Sequence, residues 1–379
     1  MPPPIILLDG GLGTTLADQH DCKFDHNTPL WSSHLLISDP SILSAVQTAF
    51  AEAGANVLLS ATYQASFEGF ERTRIGSGDE TGENEGIDEK EAGRFMRNGI
   101  SIAREAFYSA SQNTGDGHGR GNGGVALSLG AYGATMIPSQ EYTGKYDEAR
   151  LSVNALQAWH AKRLGAFTPI VGMGGGSGSD SLEDEEKRRC WQDVDLVAFE
   201  TLPLKEEITA VRRVMGQLSP TDGVDSKDFW ISCVFPGERM CLPDGSKVGE
   251  IVRLMLEQGE GLSVPLAVGI NCTKVGKLEG LVEEFEREVG RLVEGGDVEW
   301  PALVLYPDGT DGEVYDTTRK EWVKSAGVSK SVMSWDETVF GIVDRAQKRG
   351  FWNSIIVGGC CKTTPEDISK LRRRIDQAS

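Results

Sequence analysis

The sequence is poor in basic residues and has no long apolar run. Lys and Arg total 38 against 57 Asp and Glu, which gives a formal net charge of −19. A chain of this sign repels the phosphates of nucleic acids and anionic lipids, so we expect neither nucleic acid nor membrane as a partner. No uninterrupted apolar stretch approaches the roughly 18 residues that span a bilayer. The N-terminal MPPPIILLDGG also lacks the basic and long apolar regions of a signal peptide. These absences predict a soluble, cytoplasmic protein.

Cysteine is scarce too, with seven residues in 379. The cytosol keeps thiols reduced, so an odd number of scattered cysteines argues against a disulfide framework and leaves free, catalytic or metal-bound thiols. Two of the seven, Cys360 and Cys361, are nevertheless adjacent, in the segment VGGCCKTTPED. This pair is the first candidate for a functional site.

Short apolar runs alternate along the chain with amphipathic segments. Eight runs predict strands, at residues 4–11, 56–64, 125–133, 194–203, 228–235, 266–273, 302–309 and 353–361. The amphipathic segments predict helices, at residues 38–54, 147–165, 204–217 and 248–258, through 278–292, at 335–349 and from Pro365 onward. Continuously apolar strands are typical of a parallel sheet covered by helices. We therefore predict a single domain over residues 1–379, an α/β fold of the (β/α)8 TIM barrel type, with a doubly wound open sheet as the alternative.

Three segments do not fit this alternation. Residues 76–91 are acidic, residues 111–124 are rich in Gly and Asn, and residues 172–187 join a glycine run to an acidic stretch. We expect them to be mobile surface insertions. The GMGGGSG run in the third is not a phosphate-binding loop, because neither a helix start nor a lysine follows it.

Polar residues recur where the predicted strands end. Barrel enzymes carry their chemistry at the carboxyl ends of the strands, so these residues are expected to form one ring. They are Asp9, Ser60, Thr62, Tyr132, Glu200, Cys272, Cys360 and Cys361.

In a barrel the eighth strand neighbours the first and lies two strands from the sixth, so Cys272 can meet Cys360 and Cys361. Three thiolates would hold one zinc and leave a fourth position open, as in catalytic rather than structural sites. A thiol substrate entering that position would lose its proton to the metal. The alternatives are that Cys272 is a small core residue and that the pair is only reactive or buried.

Seven segments, in this order, resemble the homocysteine S-methyltransferase family. They are LLDGGLGTTL, SATYQAS, SLGAYGA, AFETLPLKEE, VGINCT, LYPDG and VGGCCKTTPEDI, and they extend from about residue 5 to 370. GINC and GGCC are the most specific of them. The resemblance implies a (β/α)8 barrel and a catalytic zinc on Cys272, Cys360 and Cys361. It also implies methyl transfer from S-methylmethionine or S-adenosylmethionine to homocysteine, which forms methionine.

The resemblance also implies how homocysteine is bound. Asp9 and Glu200 match the family positions that bind its ammonium, the alternative being that each caps the helix that follows its strand. Ser60, Thr62 and Asn271 can form hydrogen bonds nearby.

The methyl donor is less well specified by the sequence. Tyr63 and Tyr132 either face its sulfonium through cation–π contacts or pack in the core. Two departures from the family pattern leave the donor preference open: Ala131, where proline is common, and Asp308, where asparagine is more usual.

Two other functions are compatible with such a barrel. A zinc-bearing or metal-free barrel could sense a thiol or metabolite without turnover, and metal analysis followed by a methionine assay separates this from an enzyme. A hydrolytic zinc site is disfavoured, because such sites prefer His and carboxylate ligands.

Overall fold

The computed structural model of the protein describes residues 2–25, 28–74, 86–113, 123–169, 181–218, 224–310, 312–316, 321–324 and 333–378. Most of the three predicted insertions, residues 76–85, 114–122 and 172–180, lies outside these ranges. No helix in the described part of the chain is long and apolar enough to cross a membrane.

Eight described strands form one parallel sheet. They are β1 (Ile5–Leu7), β2 (Val57–Leu59), β3 (Gly124–Gly130), β4 (Leu196–Leu202), β5 (Asp228–Cys233), β6 (Ala267–Lys274), β7 (Ala302–Asp308) and β10 (Ile355–Val357). Their order is β1-β10-β7-β6-β5-β4-β3-β2, and a parallel bridge between Leu8 and Val57 joins the two ends of that order. The predicted (β/α)8 barrel is confirmed, and the open sheet is wrong. A separate antiparallel hairpin of β8 (Glu313–Asp316) and β9 (Glu321–Lys324) follows β7.

Helices surround the sheet. They are α1 (Leu12–Gln19), α2 (Leu35–Ser38), α3 (Pro40–Glu52), α4 (Phe67–Arg72), α5 (Glu89–Asn113), α6 (Val153–Leu164), α7 (Ser181–Gln192), α8 (Lys205–Gly216), α9 (Val248–Leu256), α10 (Val275–Glu294), α11 (Trp335–Arg349) and α12 (Pro365–Ala378). Short 3-10 turns lie at Trp31–His34, Tyr132–Thr135 and Glu148–Arg150. Helix α3 begins at Pro40, within the predicted helix 38–54, because Asp39 accepts a hydrogen bond from the Ile42 N–H and Pro40 occupies the first turn.

Two helices correct the predicted insertions. Helix α5 was not predicted, yet it begins at Glu89, and the preceding Ile87 is only 4% exposed and belongs to the core. Helix α7 takes up residues 181–187, where the sequence suggested a mobile loop. Its acidic side chains pair with bases four residues later on the helix, as in Glu183–Lys187, and such pairs favour the helix. In the described residues of these segments, the acidic side chains of α5 and α7 therefore belong to solvent-facing helix surface.

Apolar side chains pack on both faces of the sheet. Between sheet and helices lies a large core, which includes Phe50, Phe199 and Phe285. The barrel interior is narrower and is filled largely by small residues around Trp230 and Tyr306. The Trp230 indole N–H donates to the Tyr306 hydroxyl at 3.2 Å. These two side chains therefore place hydrogen-bonding groups inside the barrel, below the carboxyl ends of the strands.

We expect Phe285→Ala to lower the free energy of unfolding by about 3 to 5 kcal/mol, because it leaves a cavity in a closely packed core. Phe285 is fully buried in α10 and packs edge-on against Phe235, with the ring centroids 6.2 Å apart. Urea unfolding measures the change. Leu182→Ala is the control, since Leu182 is 69% exposed. Equal, small effects of the two substitutions would contradict this description of the core.

Candidate functional site

A cavity of about 150 Å³ lies at the carboxyl ends of the barrel strands. Of the residues singled out in the sequence, eight line it: Asp9, Ser60, Tyr63, Glu200, Asn271, Cys272, Cys360 and Cys361. Thr62 and Tyr132 do not. Six of the eight residues of the expected ring therefore meet in one site, and Thr62 and Tyr132 lie outside it.

Three thiols meet at one side of this cavity. The Sγ atoms of Cys272, Cys360 and Cys361 all lie within 4.8 Å of one another. Cys360 and Cys361 are 4.0 Å apart between sulfurs, and the sulfurs of Cys272 and Cys360 are in disulfide contact. No other group of three His, Cys, Asp or Glu side chains comes together in this way within the described ranges. Three sulfurs on one zinc, each about 2.3 Å from the metal, would be roughly 3.8 Å apart, so as thiolates this donor set fits zinc.

The loop that carries the cysteine pair is fixed to the start of the chain. The Thr363 hydroxyl donates to the Cys360 carbonyl at 2.6 Å and accepts from the Gly11 N–H at 3.0 Å. The Lys362 N–H donates to the Thr14 hydroxyl at 2.8 Å. A Cβ atom at Gly11 would collide with the Cys360 carbonyl, which explains a glycine at this position. The segments DGGLGTT and GGCCKTT thus fold against each other.

Cys272 has a strained backbone and a polar neighbour. The φ angle of Cys272 is +45°, and that of Thr201 on β4 is +61°. Residues other than glycine rarely adopt a positive φ of this size. Asn271 connects the two residues: its amide oxygen accepts from the Thr201 N–H at 2.9 Å, and its Nδ2 lies 3.4 Å from the Cys272 sulfur. Strain supported by such contacts is common at functional sites.

Burial and, to a smaller extent, the nearby Asp308 carboxylate raise the pKa of the Cys361 thiol to about 12. Asp308, one of the two departures from the family pattern, does not line the cavity and accepts from the Thr310 hydroxyl at 3.0 Å. A deprotonated Cys361 therefore needs a positive charge beside it.

Two carboxyl groups are buried at the cavity wall. Asp9 is 1% exposed and accepts from the Leu59 N–H at 2.8 Å through Oδ2, while its Oδ1 has no partner. Glu200 is 3% exposed and accepts from the Ser128 hydroxyl. Burial raises the pKa of Glu200 to about 7, and burial together with the charge of Glu200 raises that of Asp9 well above its usual value. Both groups therefore favour a cationic partner.

Neither of these acids caps a helix. Helix α1 begins after Gly11 and helix α8 after Leu204, and neither residue forms a side-chain cap. The first N–H of α8, that of Lys205, donates to Asp244 Oδ2 at 3.0 Å instead. The capping alternative for Asp9 and Glu200 is therefore wrong.

Ser60 and Thr62 connect neighbouring strands. Their hydroxyls are 2.6 Å apart, and the Thr62 hydroxyl donates to the Ser128 carbonyl at 2.8 Å. The Ser128 N–H donates in turn to the Ser60 hydroxyl at 3.0 Å. Only Ser60 of the two faces the cavity, so Thr62 acts on the site by fixing the ends of β2 and β3.

The two candidate tyrosines have different surroundings. Tyr63 lines the cavity. Tyr132 packs edge-on against Tyr146 and Trp159, with ring centroids 5.2 and 5.1 Å away, and its hydroxyl lies 3.3 Å from Asp147. Tyr132 therefore has the core role, and Tyr63 is the one able to face a ligand.

Sequence reasoning missed Glu141 and its neighbours Gln64 and Tyr142, all of which line the cavity. Glu141 is 6% exposed, its Oε2 has no partner, and burial raises its pKa to about 7. It lies in the loop after β3, well past the strand end where site residues were sought. The available signal was the segment QEYTGKY, in which an acid lies among aromatic residues.

Glu207 is a further residue that sequence reasoning missed, and it supports that loop. Its fully buried carboxylate accepts from the Tyr132 N–H at 2.7 Å, the His160 Nε2–H at 2.8 Å and the Tyr146 hydroxyl at 2.6 Å. Burial lowers the pKa of His160, so its ring is neutral at neutral pH. Glu207 thus joins α8, α6 and the loop after β3.

The family profile, the two relatives and the solved structure that resemble this chain are all of methyltransferases. The profile of the homocysteine S-methyltransferase family matches residues 6–375. Homocysteine S-methyltransferase 2 of Arabidopsis thaliana is 30% identical, covering 97% of this chain and 92% of the relative. Selenocysteine Se-methyltransferase of Brassica oleracea var. italica is also 30% identical, covering 97% and 88%. The solved structure of the homocysteine methyltransferase MmuM from Escherichia coli, in its metallated form, aligns with a TM-score of 0.65 and 25% identity, covering 98% of this chain and 96% of that one.

We expect Glu207→Gln to lower the free energy of unfolding by about 1 to 3 kcal/mol, because one of its three buried donors would then face an N–H group instead of an acceptor. Urea unfolding measures the loss. Glu206→Gln, on the same turn of α8 but outside this network, is the control. If the two variants were equally stable, the three hydrogen bonds to Glu207 would not support the loop.

Proposed function

Because the chain belongs to the homocysteine S-methyltransferase family, and is therefore an enzyme that methylates homocysteine, we propose that its methyl donor is a sulfonium compound, S-methylmethionine or S-adenosylmethionine, and that a zinc ion on Cys272, Cys360 and Cys361 is required. The observation that carries this proposal is the group of three thiols within 4.8 Å at the wall of the cavity. The sensor alternative is not favoured, because the family to which the chain belongs and the relatives that it resembles are methyltransferases.

The donor set supports zinc over harder metals. Three cysteine sulfurs are soft ligands, and three protein ligands leave room for one more. When bound, zinc would lower the pKa of the homocysteine thiol, so that the thiol reacts as a thiolate near neutral pH. No strong general base is then needed.

The reaction is a single displacement. The homocysteine sulfur forms a bond to the methyl carbon, the bond from that carbon to the donor sulfur breaks, and its electron pair stays on the donor sulfur, which becomes a neutral thioether. With S-methylmethionine both products are methionine. The protein's part is to align the two sulfurs with the methyl group and to exclude water, which lowers the barrier by reducing the entropy lost on reaction.

Asp9 and Glu200 are proposed to bind the homocysteine ammonium. Both are buried at the cavity wall, and Asp9 Oδ1 has a free acceptor position. An ammonium between them would stabilise both carboxylates and offset the cost of burying them. Ser60 and Asn271 line the same wall and would position these groups, while Thr62 would do so indirectly.

We expect Cys272→Ala, Cys360→Ala and Cys361→Ala each to lose zinc and nearly all activity, because two thiolates hold the metal too weakly to leave an open position. Zinc content per protein and methionine formation are the measurements. Cys22→Ala, which removes a thiol outside the cavity, should retain both. Full zinc content in any of the three variants would refute the ligand assignment.

We expect Glu200→Gln to raise the homocysteine KM about 30-fold or more, which corresponds to roughly 2 kcal/mol for losing one partner of a buried charge pair. Zinc content should not change.

The melting temperature (Tm) of the Glu200→Gln variant at pH 8 distinguishes binding of the homocysteine ammonium by Glu200 from a purely structural role. The pKa of Glu200 is raised to about 7, so the stability that its protonated form contributes is lost as the pH rises through 7. At pH 8 the ligand-free Gln variant should therefore melt no lower than wild type. A lowered Tm with an unchanged homocysteine KM would assign Glu200 to the scaffold.

A further inference from the structure

Two of the barrel strands are irregular at the ends that carry the site. The pairing of β4 with β5 shifts register between Phe199 and Leu202, and the pairing of β6 with β7 shifts between Asn271 and Lys274. Thr201 and Cys272, whose φ angles are positive, lie within these two shifts. Strand irregularities next to active sites re-aim side chains, and strained backbone persists only where other contacts hold it. The side chain that joins these two residues therefore determines how the Cys272 sulfur is placed.

That side chain is Asn271, and its orientation follows from one backbone contact. The Thr201 N–H can only donate, so the amide atom 2.9 Å from it must be the acceptor oxygen, Oδ1. Nδ2 therefore lies on the other side of the amide. It is 2.7 Å from the Thr201 hydroxyl oxygen and 3.4 Å from the Cys272 sulfur.

These contacts use both N–H groups of the Asn271 amide. One donates to Thr201 and the other to Cys272. The residue is also fully buried. An amide nitrogen has only two hydrogens, so Asn271 has no N–H left to donate to a substrate carboxylate.

The Cys272 sulfur thus has a polar group directed at it from within the protein. A cysteine sulfur bound to zinc is anionic, and a hydrogen bond to an anionic acceptor is stronger than one between neutral groups. The Thr201 hydroxyl lies 3.9 Å from the same sulfur and accepts from the Asn271 amide. The amide is therefore held in place by Thr201 at both its oxygen and its nitrogen.

We propose that Asn271 is a positioning residue that orients the Cys272 sulfur toward zinc through an N–H···S hydrogen bond and does not itself bind homocysteine. This inference rests on the proposed function and deepens it, because it adds the group that orients one of the three zinc ligands. Hydrogen-bonded neighbours commonly orient metal ligands, and their loss weakens metal binding about 10- to 100-fold.

Asn271→Leu tests this, because leucine has a similar shape and no amide. In reduced protein, the Kd for Zn²⁺, measured by competition with a chelator, should rise about 10- to 100-fold. With Co²⁺ in place of Zn²⁺, the sulfur-to-cobalt charge-transfer absorption should move to longer wavelength, since a sulfur that has lost a hydrogen bond gives up charge more readily. A purely structural role would lower the Tm and leave this absorption unchanged.

Gln47→Leu is the matched control. Gln47 is also a buried amide, 1% exposed, but it donates to the Leu59 carbonyl at 2.8 Å and does not line the cavity. Its variant should retain the Kd for Zn²⁺ within about twofold and the cobalt absorption of wild type. If Asn271→Leu does not fold, Asn271→Ser, which is polar but too short to reach the sulfur, should show the same weakening and the same shift.

Three results would overturn this assignment and leave the proposed function intact. The first is an unchanged Kd for Zn²⁺ and an unchanged cobalt absorption in a folded Asn271 variant. The second is an unchanged Kd for Zn²⁺ with a raised homocysteine KM at saturating zinc, which would place Asn271 at the substrate. The third is an equal effect of Gln47→Leu. A wild-type protein that binds neither Zn²⁺ nor Co²⁺ would contradict the proposed function as well.

Discussion

The pairing of β10 with β7 on one side and β1 on the other is the contact on which the site depends. Cys272 and Cys360 are 88 residues apart in sequence, yet the strand order leaves only β7 between β10 and β6. The backbone at the strand ends continues this pairing. The Gly359 N–H donates to the Asp9 carbonyl at 2.9 Å, and the Cys360 N–H donates to the Pro307 carbonyl at 2.9 Å. Barrel closure thus brings the thiols and the first carboxylate together, and the hydrogen bonds of Thr363 with Gly11 and of Lys362 with Thr14 fix the cysteine loop beside the start of the chain.

Charge then determines what this site can bind. The cavity wall carries thiols and three buried carboxyl groups, Asp9, Glu141 and Glu200, and burial raises the pKa of each carboxyl. A cationic ligand stabilises their ionised forms, so amino-acid ammonium groups and a sulfonium are favoured over anions or neutral molecules. Arg163 does not supply a charge to the ligand, because its guanidinium is buried behind the wall and donates to the carbonyls of Gly130 and Thr62. It holds the ends of β2 and β3 instead.

The sequence predicted the parts of the molecule that depend on local pattern. Apolar runs identified the eight barrel strands, and strand ends identified Asp9, Glu200 and the three cysteines, because in a parallel barrel the position along a strand determines the position in space. Glu141 could not be found this way, since the loop after β3 folds back over the cavity through contacts such as Glu207 with Tyr146. Helix α5 was missed for a different reason: the acidic, polar stretch before it hid an apolar stripe that includes Met96 and Ile100.

The central claim is that the three cysteines, through a metal, create the binding position for the substrate thiol. Isothermal titration of homocysteine into zinc-loaded protein and into reduced, metal-free protein tests it most directly. We expect the affinity of the zinc-loaded form to exceed that of the metal-free form by at least about tenfold, the equivalent of roughly 1.4 kcal/mol. Equal affinities in the two forms would show that the thiol binds elsewhere and would contradict the claim.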